Sequence, residues 1–169
     1  KVRILERQLS QQYYRHRHLR QVQGVASWPH GKLTAVNTSL SRYDAMADKA
    51  AAQVIARYST SFSLATKALA RPERTHVRNL YAVVRIADEI VDGAAEQANE
   101  CPETALDLYE EQVLHAPRHR FHTDPVLHAW ARTHRACNID NSHMEAFFAS
   151  MRADLTQTEF TPEELDTYI

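Results

Sequence analysis

The sequence predicts an all-α protein with one helical domain. Glycine is scarce, with 3 residues among 169, while alanine, leucine, glutamate and arginine are common, which favours helices joined by short loops over a sheet. Hydrophobic residues make up 44% of the chain and charged residues 24%, so a chain of this length can bury a core. Capping residues and prolines recur between the apolar segments and indicate where the helices begin.

The first 40 residues differ from the rest of the chain. Residues 1–40 carry seven lysine and arginine residues against a single acidic residue, Glu6, so their charge is about +6 and that of the remainder is about −7. We interpret residues 1–40 as a basic, flexible N-terminal arm and residues 41–169 as part of a helical domain. An amphipathic helix that touches a membrane surface is the alternative for the arm.

The first helices of the body are set by caps and breakers. Either Ser41 or Asp44 can cap the start of an alanine-rich helix over residues 45–56. Hydroxyl and β-branched residues at 58–61 interrupt it, and a short helix follows over residues 62–70. Pro72 fits the first turn of the next helix, because its missing N–H needs no partner there. Gly93 ends that helix at about residue 92.

The remaining helices are marked mainly by prolines. Pro102 starts a helix through about residue 115, and Pro117 stops it. Two further helices are predicted over residues 124–136 and 140–155. Thr161 begins another helix, but the sequence ends two turns later at residue 169, so we expect a domain truncated at the C-terminus.

Several classes of function have no signal in the sequence. No apolar run approaches the roughly 18 residues of a membrane span, and no signal-peptide core is present. Cys101 and Cys137 form no ligand-spaced pair and are expected as free thiols, so we expect a cytoplasmic protein, with membrane contact through the arm left open. The loop around His115, His119 and His122 does not favour a zinc site. An acidic body without a recognition motif argues against nucleic acid as a partner, and the oligomeric state is not readable.

Residues 88–92 read Asp-Glu-Ile-Val-Asp and place two carboxylates four residues apart in an apolar helical pattern. On an α-helix, Asp88 and Asp92 share a face with Tyr81 and Arg85. Two carboxylates this close resist ionisation unless a cation lies between them, and all-oxygen ligands suit Mg²⁺. The spacing therefore leaves two readings open: a magnesium site, or a surface helix on which Arg85 pairs with Asp88.

Three blocks of sequence carry a family resemblance. Residues 59–65, 78–92 and 147–155 resemble the squalene/phytoene synthases, the head-to-head prenyl transferases, and residues 165–168 resemble the start of a tyrosine-led signature of that family. The resemblance covers residues 45–169, and the wording of the first two blocks is most similar to actinobacterial phytoene synthases. It implies the all-α isoprenoid synthase fold, with helices around a central cavity.

For the catalytic residues, the resemblance implies specific roles. Asp88 and Asp92 match the first Asp-rich motif of the family, which binds Mg²⁺, or Mn²⁺ in its place, with the diphosphate of a prenyl substrate. Arg85 would contact the diphosphate, and Tyr81 would lie near the cavity. Tyr58 departs from the family, because some relatives have a histidine before the segment that follows it.

The resemblance also implies a substrate-binding set. Besides Arg85, this set has three parts. Ser59 and Ser61 are expected at the diphosphate end, and Phe62, Phe148 and Met151 on the wall for the prenyl chain. Asp154 is expected at the polar end of its helix. Core packing is the alternative for Phe148 and Met151, since apolar helix faces usually pack in the core.

The implied reaction joins two geranylgeranyl diphosphates head to head, with loss of diphosphate, in carotenoid biosynthesis. A squalene or dehydrosqualene synthase that uses farnesyl diphosphate is the alternative within the class. A non-catalytic helical binding protein on the same scaffold is the alternative from another class. The family also needs a second Asp-rich motif, which this sequence ends before, so the chain alone is expected to be inactive.

Overall fold

A computed structural model describes residues 38–156 of the chain, and within that range helices are joined by turns and short loops, with no strand. The helices are α1 Ser39–Tyr58, α2 Thr60–Thr66, α3 Arg71–Glu89, α4 Ala95–Gln97, α5 Pro102–His115, α6 Pro125–Cys137 and α7 Asn141–Thr156. A π-helical turn, Ile90–Ala94, follows α3, and a 3₁₀ turn, Ala116–Arg118, follows α5. The prediction of an all-α protein is confirmed.

Side-chain caps fix the starts of three helices. The Thr38 hydroxyl accepts a hydrogen bond from the Ser41 amide at 3.1 Å and caps α1. The prediction that Ser41 or Asp44 caps this helix is therefore wrong: the helix begins earlier, and the Asp44 carboxylate contacts another helix instead. Ser59 caps α2, and Asp124 caps α6, as the sequence before Pro125 indicates.

Proline and positive-φ residues mark the other boundaries. Pro72, Pro102 and Pro125 all lie in the first turn of a helix, which confirms their predicted positions. The helix predicted to end at about residue 92 leaves α geometry earlier and continues as the π-helical turn. Gly93 breaks that turn with a φ of 112°, a conformation that disfavours a side chain. Asn138 ends α6 with a φ of 50°.

The core forms around α3, which contacts α1, α5, α6 and α7. Its buried residues are Asn79, Leu80, Tyr81, Ala82, Val83, Val84 and Ala87. Trp130 of α6 is fully buried, and its indole N–H donates to the Val113 carbonyl of α5 at 2.9 Å. On the surface, Arg152 of α7 donates to Asp107 of α5 at 2.6 Å and also to Glu110. The apolar face of α3 is thus covered, and its C-terminal end carries the aspartate pair.

Two predicted segments lie outside the described residues. The first is the basic arm, of which residues 1–37 lie outside. The second is the last helix from Thr161, which includes the block at 165–168. The boundary between arm and helical domain therefore stays a prediction. Among the described helices, none combines the length and apolarity needed to cross a bilayer.

Candidate functional site

The aspartate pair lies where α3 changes into the π-helical turn. Asp88 belongs to the last turn of α3, and its side chain is only 15% exposed. Asp92 belongs to the π-helical turn, and its side chain is 64% exposed. A π-helical turn is wider than an α-helical one, so Asp92 is offset from the position directly above Asp88. The two carboxylates nevertheless converge on one cation, the Arg85 guanidinium.

Arg85 is shared by three carboxylates. Its Nη1 lies 3.5 Å from an Asp88 oxygen and 3.8 Å from an Asp92 oxygen, and its Nη2 donates to Glu89. Burial alone would lower the pKa of Arg85, but the hydrogen bond to Glu89 and the surrounding negative charge outweigh it and raise the pKa. The Arg85 Nε–H is buried without a hydrogen-bond partner in the described structure. The ion pair that the sequence left as an alternative is therefore present.

Opposing influences act on the pKa of Asp88. Burial raises the pKa of this carboxyl; the Arg85 charge opposes the shift, and the Asp92 charge adds to it. The result is a raised pKa despite an adjacent guanidinium. The burial of Asp88 and the neighbouring carboxylate thus outweigh the attraction of one adjacent guanidinium.

The α1–α2 junction packs against this end of α3. The Tyr58 ring, at the end of α1, lies 4.5 Å from the Arg85 guanidinium carbon in a cation–π contact. Ser59 is the next residue, and its hydroxyl accepts from the Phe62 amide at 3.2 Å. The Phe62 ring contacts the Tyr81 ring at 5.3 Å. The α1–α2 junction therefore contacts two predicted site residues of α3: Tyr58 contacts Arg85, and Phe62 contacts Tyr81.

The other predicted substrate residues have different environments. Ser61 is exposed on α2. Phe148 is fully buried on α7, with ring contacts to Tyr109 at 6.1 Å and to Phe147 at 5.3 Å, and Met151 is 5% exposed. This burial matches the core-packing alternative and is also compatible with a wall, so their role stays a prediction. Asp154 is partly exposed on the same helix, which contacts α3 and the π-helical turn.

The donor set at the aspartate pair fits Mg²⁺. The available ligand atoms are carboxylate oxygens, which Mg²⁺ prefers, and it usually binds through one or two carboxylates plus phosphate oxygens. The Arg85 Nε–H, which is buried without a partner in the described structure, could donate to an acceptor such as a phosphate oxygen. Across residues 38–156, no group of three or more histidine, cysteine or acidic side chains has metal-site geometry on its own. Phosphate oxygens or further carboxylates would complete the coordination.

Sequence reasoning missed a second pair with the same spacing, Asp44 and Asp48 on α1. Asp44 contacts the Nε2 of the fully buried His128 at 2.7 Å. Asp48 accepts from Arg132 at 3.0 Å and from the buried Asn79 amide at 3.0 Å. The four-residue spacing was a readable signal, but the partners lie on α3 and α6, far away in sequence. This pair links three helices.

The comparisons with known proteins assign the class. The helical architecture and the acidic end of α3 agree with the head-to-head prenyl transferases of the all-α isoprenoid synthase fold that the sequence resembles. The family model described as squalene/phytoene synthase matches residues 55–169. The chain therefore belongs to the squalene/phytoene synthase family, whose members generally use Mg²⁺ with prenyl diphosphate substrates. No curated protein and no solved structure matches the chain significantly.

The match confirms the family predicted from the sequence and its all-α isoprenoid synthase fold. It begins at Ile55, inside α1, and includes the α1–α2 junction and the aspartate pair of α3. The likeness to actinobacterial phytoene synthases within the family stays a prediction, and so do the roles of individual residues.

Proposed function

We propose that the protein is a phytoene-synthase-like prenyl transferase. It would join two geranylgeranyl diphosphates head to head through a cyclopropyl intermediate and release both diphosphates, in carotenoid biosynthesis. The observation that carries the proposal is the convergence of Asp88 and Asp92 on Arg85 at the end of a buried helix. The similarity of residues 59–65 and 78–92 to phytoene synthases supports the choice of substrate.

Asp88 and Asp92 would hold Mg²⁺ together with the substrate diphosphate. Held by these two carboxylates, Mg²⁺ would supply the positive charge that stabilises diphosphate as a leaving group. Asp88 is the partly buried ligand, held at the end of α3, while the exposed Asp92 lies on the adjoining turn. Arg85 would donate from its guanidinium to phosphate oxygens, since its Nε–H lacks an acceptor in the described structure. Ser59 and Ser61 would lie at the same diphosphate end.

Apolar side chains would surround the prenyl chain and keep water from the carbocation. Tyr81 is 5% exposed, and the Phe62 ring lies against it, so this side of the site is already dry. Phe148 and Met151 would extend the wall from α7, and Asp154 would face the polar end. An apolar wall would prevent water from capturing the carbocation, so that the carbocation reacts with the second prenyl chain instead.

A complete site would need the second Asp-rich motif of the family. Asp88 and Asp92 supply one metal-binding wall, and carboxylates from that motif would supply the other. The basic stretch at residues 1–40 would make peripheral contact with membrane lipids, which the apolar substrate and product favour. Deleting residues 1–37 should then lower binding to anionic vesicles.

The test is Asp88→Asn in a catalytically complete form of the enzyme, with diphosphate release followed from geranylgeranyl diphosphate and from farnesyl diphosphate. We expect the Mg²⁺-dependent rate to fall by about 10²-fold or more. Asp48→Asn is the matched control and should retain the rate. Undiminished turnover in Asp88→Asn would remove the metal assignment. A preference for farnesyl diphosphate would favour the squalene or dehydrosqualene type. No diphosphate release from either substrate would favour a binding protein on the same scaffold.

A further inference from the structure

The contact between Tyr58 and Arg85 has a geometry suited to orienting the guanidinium. The ring centroid lies 4.5 Å from the guanidinium carbon, within the range of a cation–π interaction. A guanidinium is planar, and its N–H donors point outward in that plane. Because the guanidinium carbon lies over the Tyr58 ring, the ring limits where the guanidinium can lie on that side, while its donors remain able to reach the carboxylates.

Those edge donors face the carboxylates. Nη1 lies within 4 Å of both Asp88 and Asp92, and Nη2 donates to Glu89. Arg85 comes from the same helix as these acids, so its long side chain could reach them from several rotamers. Tyr58 comes from α1, so its ring contacts Arg85 from outside that helix. Its hydroxyl makes no hydrogen bond within the described residues, so the ring carries the contact.

We propose that Tyr58 is a positioning residue, whose ring holds the Arg85 guanidinium beside the Asp88–Asp92 pair. In this place Arg85 offsets part of the carboxylate charge in the metal-free protein and would present its donors to phosphate oxygens once a metal shares the carboxylates. The second half rests on the proposed function. The first half concerns only this chain and is independent of any ligand.

The first arm of the experiment uses the metal-free chain. The Arg85 side-chain Nε–Hε resonance is assigned by its loss in Arg85→Gln and should show a ring-current shift from Tyr58. The shift should persist in Tyr58→Phe and disappear in Tyr58→Leu. Phe121→Leu is the matched control, because Phe121 is 54% exposed against 51% for Tyr58 and contacts Tyr43 instead. A resonance that is the same in wild type and Tyr58→Leu would overturn the proposal.

The second arm measures binding of inorganic pyrophosphate with Mg²⁺ by calorimetry. Tyr58→Leu should weaken binding about two- to fivefold, as expected from one partly exposed cation–π contact, and Tyr58→Phe should restore it. In the Arg85→Gln background, Tyr58→Leu should have no further effect, whereas a purely structural role of the ring would still weaken binding there.

The two arms separate the two possible failures. If wild type binds and Asp88→Asn does not, an unchanged affinity in Tyr58→Leu overturns the positioning role and leaves the proposed function intact. If wild type itself does not bind pyrophosphate with Mg²⁺, the assignment of a metal and diphosphate site to this chain fails, and the resonance of Arg85 alone decides whether Tyr58 positions it.

Discussion

Two aspartate pairs with identical spacing serve this molecule differently. Asp44 and Asp48 receive donors from α3 and α6, at 2.7 Å from His128 and 3.0 Å from Arg132. The carboxylates of residues 88 and 92 share one arginine from their own helix, at 3.5 and 3.8 Å. The first pair is satisfied by tertiary partners at hydrogen-bond distance, and the second by one local cation at longer range.

We propose that the origin of the counter-charge, more than the spacing of the acids, distinguishes the α1 pair, which tertiary partners satisfy, from the pair that we propose binds a metal. On α1, the donors to the pair, among them Asn79 and Arg132, come from other helices, so the pair ties those helices together. At the end of α3, three carboxylates compete for one guanidinium, which leaves negative charge unmet. Unmet charge costs stability, and a metal can remove that cost.

The largest expected effect is on stability at the α1 pair. Asp44→Ala removes the partner of the fully buried His128 and one of the partners of Arg132, so the free energy of unfolding should fall by about 3 kcal/mol. Asp88→Ala removes an under-compensated charge and should change it by less than about 1 kcal/mol. Urea unfolding of the two variants measures both values. Equal losses would break the distinction between the pairs.

A smaller effect is expected at the turn that carries Asp92. Gly93 has a φ of 112°, and a Cβ there would meet no atom closer than 3.9 Å, so the cost of a side chain is conformational. Gly93→Ala should lower the free energy of unfolding by about 1–2 kcal/mol. Gly93→Asn should cost less, because asparagine tolerates positive φ. Thermal unfolding compares the two variants, and equal losses would show that crowding is the cause.

Acidification should act on the two regions with opposite sign. Burial lowers the pKa of His76, which contacts Thr133 beside Asp48, with smaller contributions from neighbouring charges. The unfolded chain then binds more protons below the ordinary value of 6.5, so this contribution to stability is present above pH 6.5 and is lost as the pH falls below it. His76→Gln should reduce that loss in unfolding measured across this range.

For Asp88 the sign is reversed, because burial raises its pKa above the ordinary 3.8. The folded chain binds the proton first, so its contribution to stability rises as the pH falls through the raised value. Asp88→Asn should remove this rise and should be slightly more stable than wild type at neutral pH, by less than about 1 kcal/mol. A variant less stable than wild type at neutral pH would mean that Arg85 compensates Asp88 fully.

Sequence patterns predicted the helices well where the signal was local. Proline and capping residues placed α5 to the residue and α6 to within one residue, because a proline in the first turn or an Asp cap acts within four positions. The start of α1 was predicted incorrectly because Asp44 is as good a capping residue type as Thr38, the cap that the structure shows. In the folded chain its carboxylate pairs instead with a histidine 84 positions away.

Local sequence signals also predicted part of the candidate site, namely the acids and the arginine of one helical segment. The acids and Arg85 lie within eight positions on one helix, so their convergence follows from helical spacing. The cation–π contact of Tyr58 depends on how α1 packs on α3, which no local pattern encodes. The α1 pair has the same spacing, and its structural role depends on Asn79, 31 positions away, and on α6. Tertiary contacts therefore decide what the spacing leaves open.

The most direct test measures Mn²⁺ binding by electron paramagnetic resonance, with inorganic pyrophosphate present, in Asp88→Asn and Asp48→Asn chains. Asparagine keeps the shape and hydrogen-bonding oxygen of each carboxylate, so both variants should fold. We predict that Asp88→Asn loses the bound-metal signal and that Asp48→Asn retains it at the wild-type affinity. Loss of binding in Asp48→Asn with retention in Asp88→Asn, or equal affinities in both, would contradict the assignment of the metal to the end of α3.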